Sequence, residues 1–288
     1  MACGRPADRG GPLTIIDDAG RHVALAAPAQ RIVSLAPSST ELLFAIGAGD
    51  RVVGRTTWCK YPPEAEQVPA VGDGINPNIE AVAARQPDLV VLYRSALNAT
   101  AAEQLQRLGI ASAILAQDRL ADVARDARSL GALTGRRQSG DSLAAALEAL
   151  ASRTAPPATL KVAFVVWDNP LTIIGAGSFL DELARLAGAA NVFADITSPS
   201  AAVSLETLAA RDPDVIAIIV DDPPLSRRER GTGGEDLPAY AGRREWQAVR
   251  AVRERRFVRL SGELFGRPSP RAPEAIEALR LALERSGR

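Results

Sequence analysis

The sequence predicts an α/β protein of two lobes, joined by a single long rigid helix, with a mostly parallel sheet flanked by helices in each lobe. The first reason is a repeat, because IEAVAARQPDLVV at 79–91 returns as LETLAARDPDVIA at 205–217 with six of thirteen positions identical. The second is the alternation of strand-like and helix-forming segments, which is typical of parallel sheets. The third is a helix-forming stretch over 120–153 that few glycines interrupt. Two copies of one motif at this separation indicate two lobes of like construction.

Length and composition exclude two classes of partner. A chain of 288 residues is long enough for about two domains, each with its own core. Its 34 acidic residues balance its 34 basic residues. Because a surface that binds nucleic acid needs an excess of basic residues, we expect no nucleic-acid partner. No apolar run reaches the roughly 18 residues that a membrane-spanning helix requires.

The N-terminus predicts a lipid anchor. Ala-Cys-Gly at 2–4 resembles the end of a bacterial lipoprotein signal, in which the cysteine becomes the lipidated first residue. On this reading Met1 is an expression start that replaces a removed leader, and 1–12 is a lipoprotein tether that holds the protein at the membrane through Cys3 alone. An ordinary N-terminus with an isolated cysteine is the alternative. We expect no disulfide between Cys3 and Cys59, since it would join only a tether to a domain.

The N-terminal lobe is assigned to 13–134, and its elements follow from alternation, turns and caps. The first helix is expected to begin after Pro37, with Ser38, Ser39 or Thr40 as its N-cap, and to end at Gly47. In chain order the elements are a β-hairpin over 13–25, a strand over 31–35, a helix over 41–46, a strand over 52–54, the first repeat helix with a strand over 89–93, a helix over about 99–108, a strand over about 110–115 and a helix over 120–133.

The linking helix is assigned to 135–156 and the C-terminal lobe to 157–288. The helix itself is predicted over about 137–153, ended by Pro156 and Pro157, and spans about 25 Å at 1.5 Å per residue. The second lobe then repeats the pattern of the first. Its elements are a strand over 161–167, a helix over 179–186, the second repeat helix with a strand over 215–220, a helix near 245–254, a strand over 257–260 and a helix over 272–285.

The usual catalytic and cofactor-binding motifs are not supported. The only histidine, His22, lies in the predicted hairpin, so a hydrolytic triad or a histidine-rich metal site would depend on a residue that we expect on a strand surface. The segment GAGS at 175–178 partly matches a dinucleotide-binding motif, but Leu180 occupies the third glycine position. Ser178 with Asp181 fits a helix cap instead. We therefore predict no catalytic residue, no resident metal and no cofactor.

Several aromatic residues follow the predicted strands, where ligands bind to open parallel sheets. Each could equally serve packing, and the two arginines among the candidates could simply be solvated. The candidate ligand-binding residues are Trp58, Tyr61, Tyr93, Arg94, Trp167, Phe265 and Arg267.

One glutamate recurs at the start of each repeat helix. Glu80 and Glu206 occupy the same position of the two copies. Favourable interaction with the helix dipole explains an acid anywhere in the first turn. It does not explain why the same acid is kept in both copies while other surface positions differ.

Six segments stand out in order along the chain, namely RIVSLAPSSTE at 31–41, YPPEA at 61–65, VG at 71–72, PNIE at 77–80, PDLV at 87–90 and SPR at 269–271. Together they resemble the substrate-binding proteins of cobalamin, siderophore and haem ABC importers, the helical-backbone class of periplasmic binding proteins. The resemblance extends from about 30 to 285 and implies two α/β lobes joined by one helix, which bind a cobalt or iron chelate in the cleft between the lobes. It also implies that Glu80 and Glu206 dock onto arginines of a permease dimer, which works with its ATPase subunits.

Within that family the chain is most similar to the cobalamin binders. WCKYPP at 58–63, WDNPL at 167–171 and Tyr93 resemble that branch, whereas Gly74 and Ser200 stand where cobalamin binders carry tryptophans. The resemblance implies a monomeric, extracytoplasmic, non-enzymatic protein that binds a corrinoid. A ferric-siderophore or haem carrier is the alternative within the family. An enzyme is the alternative outside it, and it would have to use carboxylates such as Asp73 or Asp168.

Overall fold

The computed structural model describes residues 13–220 and 238–286, which form two compact units. Of the described residues, the first unit contains 13–117 and Asp122–Ala146, and the second contains Asp118–Ala121, 147–220 and 238–286. The passage between Ala146 and Leu147 lies inside one helix, Arg137–Ala151. Cys3 and the predicted tether lie outside the described residues, and the lobe limits of the sequence analysis stay predictions.

The first unit is an α/β domain with a four-stranded parallel sheet. Its elements are β1 (Leu13–Ile16), β2 (His22–Leu25), β3 (Ile32–Ser34), α1 (Pro37–Ala45), β4 (Val52–Arg55), α2 (Ile79–Ala83), β5 (Leu89–Tyr93), α3 (Ala96–Arg107), β6 (Ala111–Leu115), α4 (Leu120–Leu133) and α5 (Arg137–Ala151). The first two residues of α4 and the last residues of α5 belong to the second unit. The strands stand in the order β4-β3-β5-β6, and Val33, Val90, Leu92 and Leu105 are among the residues of its core.

The predicted hairpin is confirmed, and its turn covers the edge of β6. β1 and β2 pair antiparallel, and His22 is exposed on β2, as expected. Asp17 accepts a hydrogen bond from the amide of Ile114 at 3.0 Å, and Asp18 accepts one from the amide of Ala116 at 2.6 Å. These carboxylates occupy backbone donors that an exposed edge strand would otherwise present to another chain.

Helix α1 begins four residues earlier than expected. Pro37 is its first residue, and Ser38, Ser39 and Thr40, expected as caps, are buried inside the helix. A proline fits the first helical position because its missing N–H has no partner there in any case. The serines and the threonine therefore face the interior of the unit.

The second unit is also α/β, but its six-stranded sheet is mixed. The order is β10 (Ser200–Ala202), β8 (Leu171–Ile174), β7 (Leu160–Asp168), β11 (Val215–Val220) and β12 (Phe257–Ser261), with β9 (Ala189–Asn191) parallel to the first residues of β7. β7, β11 and β12 are parallel as predicted, whereas β8 and β10 add an antiparallel extension that the sequence analysis missed. Its elements are β7 (Leu160–Asp168), β8 (Leu171–Ile174), α6 (Phe179–Leu186), β9 (Ala189–Asn191), β10 (Ser200–Ala202), α7 (Leu205–Arg211), β11 (Val215–Val220), α8 (Arg250–Arg253), β12 (Phe257–Ser261), α9 (Gly262–Phe265) and α10 (Ala272–Ser286).

Two local expectations in this unit have different outcomes. The helix expected near 245–254 is a 3₁₀ turn over Arg244–Ala248 followed by α8, because Val249 between them has an extended backbone. The cap predicted at Ser178 is confirmed, since its hydroxyl accepts a hydrogen bond from the amide of Leu180 at 3.1 Å. A Cβ at Gly175 would lie 2.3 Å from the carbonyl oxygen of Ser198, so this glycine serves packing of the chain against itself.

The two repeat copies share a left-handed residue and an aspartate that holds the neighbouring strand, although α7 is two residues longer than α2. Gln86 and Asp212, at equivalent positions, both have left-handed backbones, with φ of 49° and 46°. Two residues later, Asp88 accepts a hydrogen bond from the amide of Arg31 at 3.0 Å, and Asp214 accepts one from the amide of Lys161 at 2.9 Å. In both units the aspartate of the Pro-Asp pair thus fastens its own strand to the start of the neighbouring strand.

The described residues contain no helix that is both long and apolar enough to cross a membrane.

Candidate functional site

The carboxyl edge of the first sheet carries exposed aromatic residues. Trp58 follows β4 by three residues and is 54% exposed, and Tyr93, the last residue of β5, is 40% exposed. Because β4 and β5 are parallel neighbours of β3, their ends lie at one edge of the sheet. Arg94, also exposed, follows Tyr93, and Tyr61 is half-buried. The structure therefore brings Trp58, Tyr93 and Arg94 to one edge, and Trp58 and Tyr93 lie at or just after strand ends as expected.

Two apolar residues at this edge were missed by the sequence analysis. Ile75 is 67% exposed. Its neighbour Gly74 packs so closely against the Leu35 carbonyl oxygen and the Thr56 side chain, just past β3 and β4, that a Cβ added there would meet both. Leu97 is 54% exposed in the first turn of α3, which follows β5. Large exposed apolar side chains that group at one edge mark a binding surface. The available signal was an isolated isoleucine within the polar turn DGINPN.

A buried polar network holds the Trp58 loop. Thr56, which is fully buried, accepts a hydrogen bond from the amide of Trp58 at 3.2 Å, and its hydroxyl lies 3.1 Å from the Cys59 sulfur. The Thr40 hydroxyl lies 3.1 Å from the same sulfur and 2.8 Å from the Ser34 hydroxyl, within hydrogen-bond distance of both. The hydroxyl groups of Thr56, Thr40 and Ser34 all have partners in this network, so the network fixes the backbone beneath the exposed indole of Trp58.

The predicted residues of the second unit divide into exposed and buried. Trp167, near the end of β7, is 68% exposed. Phe265, the last residue of α9, is only 3% exposed, so its ring is part of the packed interior. Arg267 is half-buried beside Phe179, Leu183 and other mainly apolar residues. Among these three, Trp167 alone offers a wide accessible aromatic surface.

The two carboxylates that an enzymatic mechanism would need already serve local structure. Asp73 accepts hydrogen bonds from the amides of Asn76 at 3.1 Å and Ile75 at 2.8 Å, which lower the pKa of its carboxyl group. Asp168 forms an ion pair with Arg243 at 2.9 Å. A general base working near neutral pH needs a raised pKa, which is the opposite of the shift at Asp73.

The two repeated glutamates occupy equivalent and exposed positions. Glu80 is the second residue of α2, and Glu206 is the second residue of α7. Asn78 and Ser204 cap the helices by accepting hydrogen bonds from the amides of Ala81 and Thr207. A hydrogen bond from the Ser204 side chain, and next one from the backbone of Glu206 itself, lower the pKa of the Glu206 carboxyl group, which keeps it ionised.

Both glutamates lie toward the carboxyl edge of their own sheet. In the first unit, Gly74 packs against Leu35 just past β3, and Asn78, the cap of α2, follows four residues later. In the second unit, the amide of Val203 donates to the Leu171 carbonyl at 2.9 Å, directly after the turn that ends β7, and α7 follows. Each unit therefore presents an exposed tryptophan and an exposed glutamate at the same edge.

Comparison with known proteins gives a consistent result. A family model described as periplasmic binding protein matches residues 32–264. YvrC of Bacillus subtilis, named an uncharacterized ABC transporter substrate-binding lipoprotein, is 29% identical over 299 residues, covering 96% of this chain and 90% of its own. A vitamin B12-binding protein of Salmonella typhimurium is 33% identical over 194 residues, covering 66% of this chain and 72% of its own.

Solved structures of two kinds of binding protein have the same fold. The periplasmic vitamin B12 binding protein BtuF of Vibrio cholerae has a TM-score of 0.69 at 25% identity, with 91% of this chain and 99% of that chain covered. The periplasmic heme-binding protein RhuT of Roseiflexus sp. RS-1 has a TM-score of 0.71 at 28% identity, with 90% and 100% covered.

Proposed function

The chain belongs to the periplasmic binding protein family as a substrate-binding protein of an ABC importer, and we propose that it captures a corrinoid outside the cytoplasm and delivers it to a permease. The family assignment covers most of the chain. The choice of a corrinoid, the contact residues and the docking residues are the proposal.

The observation that carries the proposal is the pair of exposed tryptophans, one in each unit. Trp58 and Trp167 are 54% and 68% exposed at the carboxyl edges of their sheets. Aromatic side chains bury 150–250 Å² each when covered, so leaving both indoles in water is unfavourable unless a ligand covers them. Tyr93, Ile75 and Leu97 extend the apolar surface of the first unit. A flat macrocycle with wide apolar faces suits such a surface.

A corrinoid is the first choice because vitamin B12-binding proteins recur among the curated relatives, at up to 33% identity. The segments WCKYPP and WDNPL, which carry the resemblance to that branch, also hold the two exposed tryptophans. At Gly74, φ is +81° and a Cβ would lie 2.5 Å from the Leu35 carbonyl oxygen, so a tryptophan would need a different loop backbone. We propose that Ile75 beside it provides the apolar contact.

A haem or ferric-siderophore carrier is the second candidate. The structural similarity to RhuT supports it as much as the similarity to BtuF supports a corrinoid. Arg94, exposed beside Tyr93, would suit the carboxylates of a haem. We propose Phe265 and Arg267 as contacts for either ligand; the buried ring of Phe265 would have to move for that role, whereas Arg267 is half-buried.

Calorimetric titration of the ligand-free protein with cyanocobalamin, haemin and a ferric hydroxamate tests the choice. We expect one-to-one binding of cyanocobalamin with a submicromolar Kd, the range that a scavenging importer needs. Binding of haemin or the ferric chelate with no heat from cyanocobalamin would transfer the assignment to the second candidate. Turnover of any of these compounds by the protein alone would favour the enzyme.

We further propose that Glu80 and Glu206 are the docking residues and that Cys3 carries the lipid. Two acids at equivalent positions suit a two-fold permease, because opposite charges at two points fix orientation.

The lipoprotein name of YvrC supports a lipid anchor at Cys3. Exchange of Cys3 for serine is expected to move the protein from the membrane fraction to the soluble fraction of expressing cells, and a protein that stays membrane-bound would contradict the anchor.

A further inference from the structure

Thr56 contacts two loops that carry different functions in the proposed mechanism. Its hydroxyl holds the amide of Trp58 and the sulfur of Cys59. A Cβ added at Gly74 would lie only 2.6 Å from the Thr56 methyl group, Cγ2, so the loop that contains Gly74 packs directly against this methyl group. The neighbouring Thr57 amide donates to the Gly72 carbonyl at 2.9 Å. One buried residue therefore joins the Trp58 loop to the segment 72–78.

The segment 72–78 continues through short hydrogen-bonded steps to Glu80. The carboxylate of Asp73 accepts from the amides of Ile75 and Asn76. Asn78 then caps α2, which carries Glu80 in its first turn. Each step between the Thr56 side chain and Glu80 is thus a hydrogen bond, a packing contact or a short stretch of chain.

The corresponding segment of the second unit is held differently. There α7 and Glu206 follow β10, which pairs with β8 through Ser200, Ala201 and Ala202. A further hydrogen bond, from the Val203 amide to the Leu171 carbonyl, continues this attachment to within two residues of α7. In the first unit, the residues from Gly72 to Asn78 belong to no strand, and Ile75 among them is exposed.

We propose that Thr56 is a positioning residue that couples the Trp58 loop to the helix of Glu80, so that ligand contact in the first unit is transmitted to its docking acid. Glu206 stands on a helix that the sheet holds in place and does not respond. The two acids of the repeat then have different roles: Glu206 is a fixed anchor and Glu80 reports occupancy. The coupling itself is a property of the ligand-free protein, whereas its meaning for docking rests on the proposed function.

Hydrogen–deuterium exchange of the ligand-free protein tests the coupling with two substitutions of one residue. Thr56→Val removes the hydroxyl and keeps the shape, so we expect exchange at 57–60 and at 72–81 to be at least about tenfold faster, the effect of losing one buried hydrogen bond. Thr56→Ser keeps the hydroxyl and removes the methyl group. It should leave 57–60 at the wild-type rate and accelerate only 72–81. Residues 200–211 should be unchanged in both variants.

Substitution at the other end of the contact tests reciprocity. Gly74→Ala places a methyl group against Thr56 and Leu35, and we expect faster exchange at 57–60 as well as at 72–81. Gly47→Ala is the matched control, because Gly47 has a similar φ of +78° but nothing within 4 Å of the new Cβ. It should alter neither segment. If Thr56→Val affects 57–60 alone, or if Gly74→Ala affects 72–81 alone, the coupling is disproved. Should Gly74→Ala fail to fold, the two Thr56 variants still decide.

A ligand-bound measurement separates this inference from the proposed function. Whichever of cyanocobalamin and haemin binds by calorimetry should slow exchange at 75–81 and leave 204–208 unchanged. Binding without slower exchange at 75–81 overturns the transmission and leaves the proposed function intact. If neither compound binds, the assigned ligands fall, while the coupling is still decided by the ligand-free variants.

Discussion

At the residue scale, the protein keeps one carboxyl group in an unfavourable environment. Asp126 on α4 is fully buried, and its Oδ2 has no hydrogen-bond partner among the residues that the structure describes. Burial raises the pKa of Asp126 to about 8, against the charge of Arg125, which lowers it, and with the charges of Asp18 and Asp122, which raise it further. Gln117 contributes a smaller lowering effect through its side chain. Asp126 is therefore largely protonated at neutral pH.

Asp126→Asn is expected to be more stable than the wild type, by a margin that grows as pH rises. The folded pKa of Asp126 exceeds its unfolded value of 3.8, so folding favours the protonated form and stability is lost between about pH 4 and pH 8. Asparagine carries no such cost. The melting temperature of the variant should match that of the wild type near pH 4 and exceed it by at least about 3 °C at pH 8. Circular dichroism across this range measures it, and a difference independent of pH would contradict the assignment.

The exposed tryptophans provide the second prediction at this scale. Trp58→Ala should weaken ligand binding by about 30-fold or more, the effect of removing an aromatic anchor that contributes about 2 kcal/mol. Trp167→Ala should behave alike, whereas Trp58→Phe should keep most of the affinity. Leu108→Ala is the control, since Leu108 is 58% exposed but precedes β6 at the opposite edge of the sheet. Equal losses in Leu108→Ala and Trp58→Ala would show that the tryptophan is not a contact.

At the element scale, the repeat is a structural unit as well as a sequence pattern. In both copies a helix, a left-handed residue, a proline and an aspartate lead into a central strand. The carboxylate of the aspartate accepts a hydrogen bond from a backbone amide at the start of the neighbouring strand, in addition to the backbone bond between the same two residues. Asp214 also accepts from Arg250 at 2.8 Å. Burial acts to raise the pKa of Asp214, but the bonds from Arg250 and the Lys161 amide lower it on balance.

Asp214→Ala should therefore destabilise the second unit by about 1–3 kcal/mol at pH 7, as expected for losing hydrogen bonds to a charged group. Because the folded pKa of Asp214 is lowered, its contribution is present above pH 3.8 and disappears as pH falls through the folded value. The difference from the wild type in urea unfolding should shrink accordingly below pH 3.8. Exposed Asp50→Ala is the control and should stay within about 0.5 kcal/mol. A pH-independent loss would assign the effect to packing.

The elements show which features a sequence can predict here. The parallel strands could be found because each is a continuous apolar run bounded by turn residues. Once the strands were located, Trp58, Tyr93 and Trp167 could be placed at or just after their ends. β8 and β10 were missed because they are short strands held by tertiary pairing. Ile75 was missed because its exposure depends on how its turn packs at Gly74. Burial of Phe265 likewise depends on packing that local sequence does not encode.

At the scale of the whole molecule, the duplication gives the protein two similar presentation surfaces. Each unit offers an exposed tryptophan and an exposed glutamate at the carboxyl edge of its sheet. Ligand capture and permease docking would thus use neighbouring positions on each unit. Because the acidic and basic residues of the chain are equal in number, the two glutamates do not belong to a generally acidic protein. Two separate acidic side chains of this kind would suit docking onto individual basic side chains.

Reversal of both docking charges is expected to separate delivery from capture. Glu80→Arg with Glu206→Arg should abolish stimulation of transport in proteoliposomes that contain the permease and its ATPase subunits, because like charges would then meet at two points. Ligand affinity by calorimetry should stay within about twofold. Glu80→Gln with Glu206→Gln is the milder control and should reduce stimulation partly. A fall in ligand affinity with stimulation intact would show that these acids belong to the binding surface.

Native mass spectrometry of the ligand-free protein with equimolar cyanocobalamin and haemin tests the central claim most directly, because it reports the ligand, the stoichiometry and the oligomeric state together. The predicted spectrum shows a monomer with one cyanocobalamin bound, and the adduct is lost in the protein that carries Trp58→Ala and Trp167→Ala. A spectrum with haem adducts alone would contradict the corrinoid assignment, and one with no adduct of either compound would contradict the proposed class of ligand.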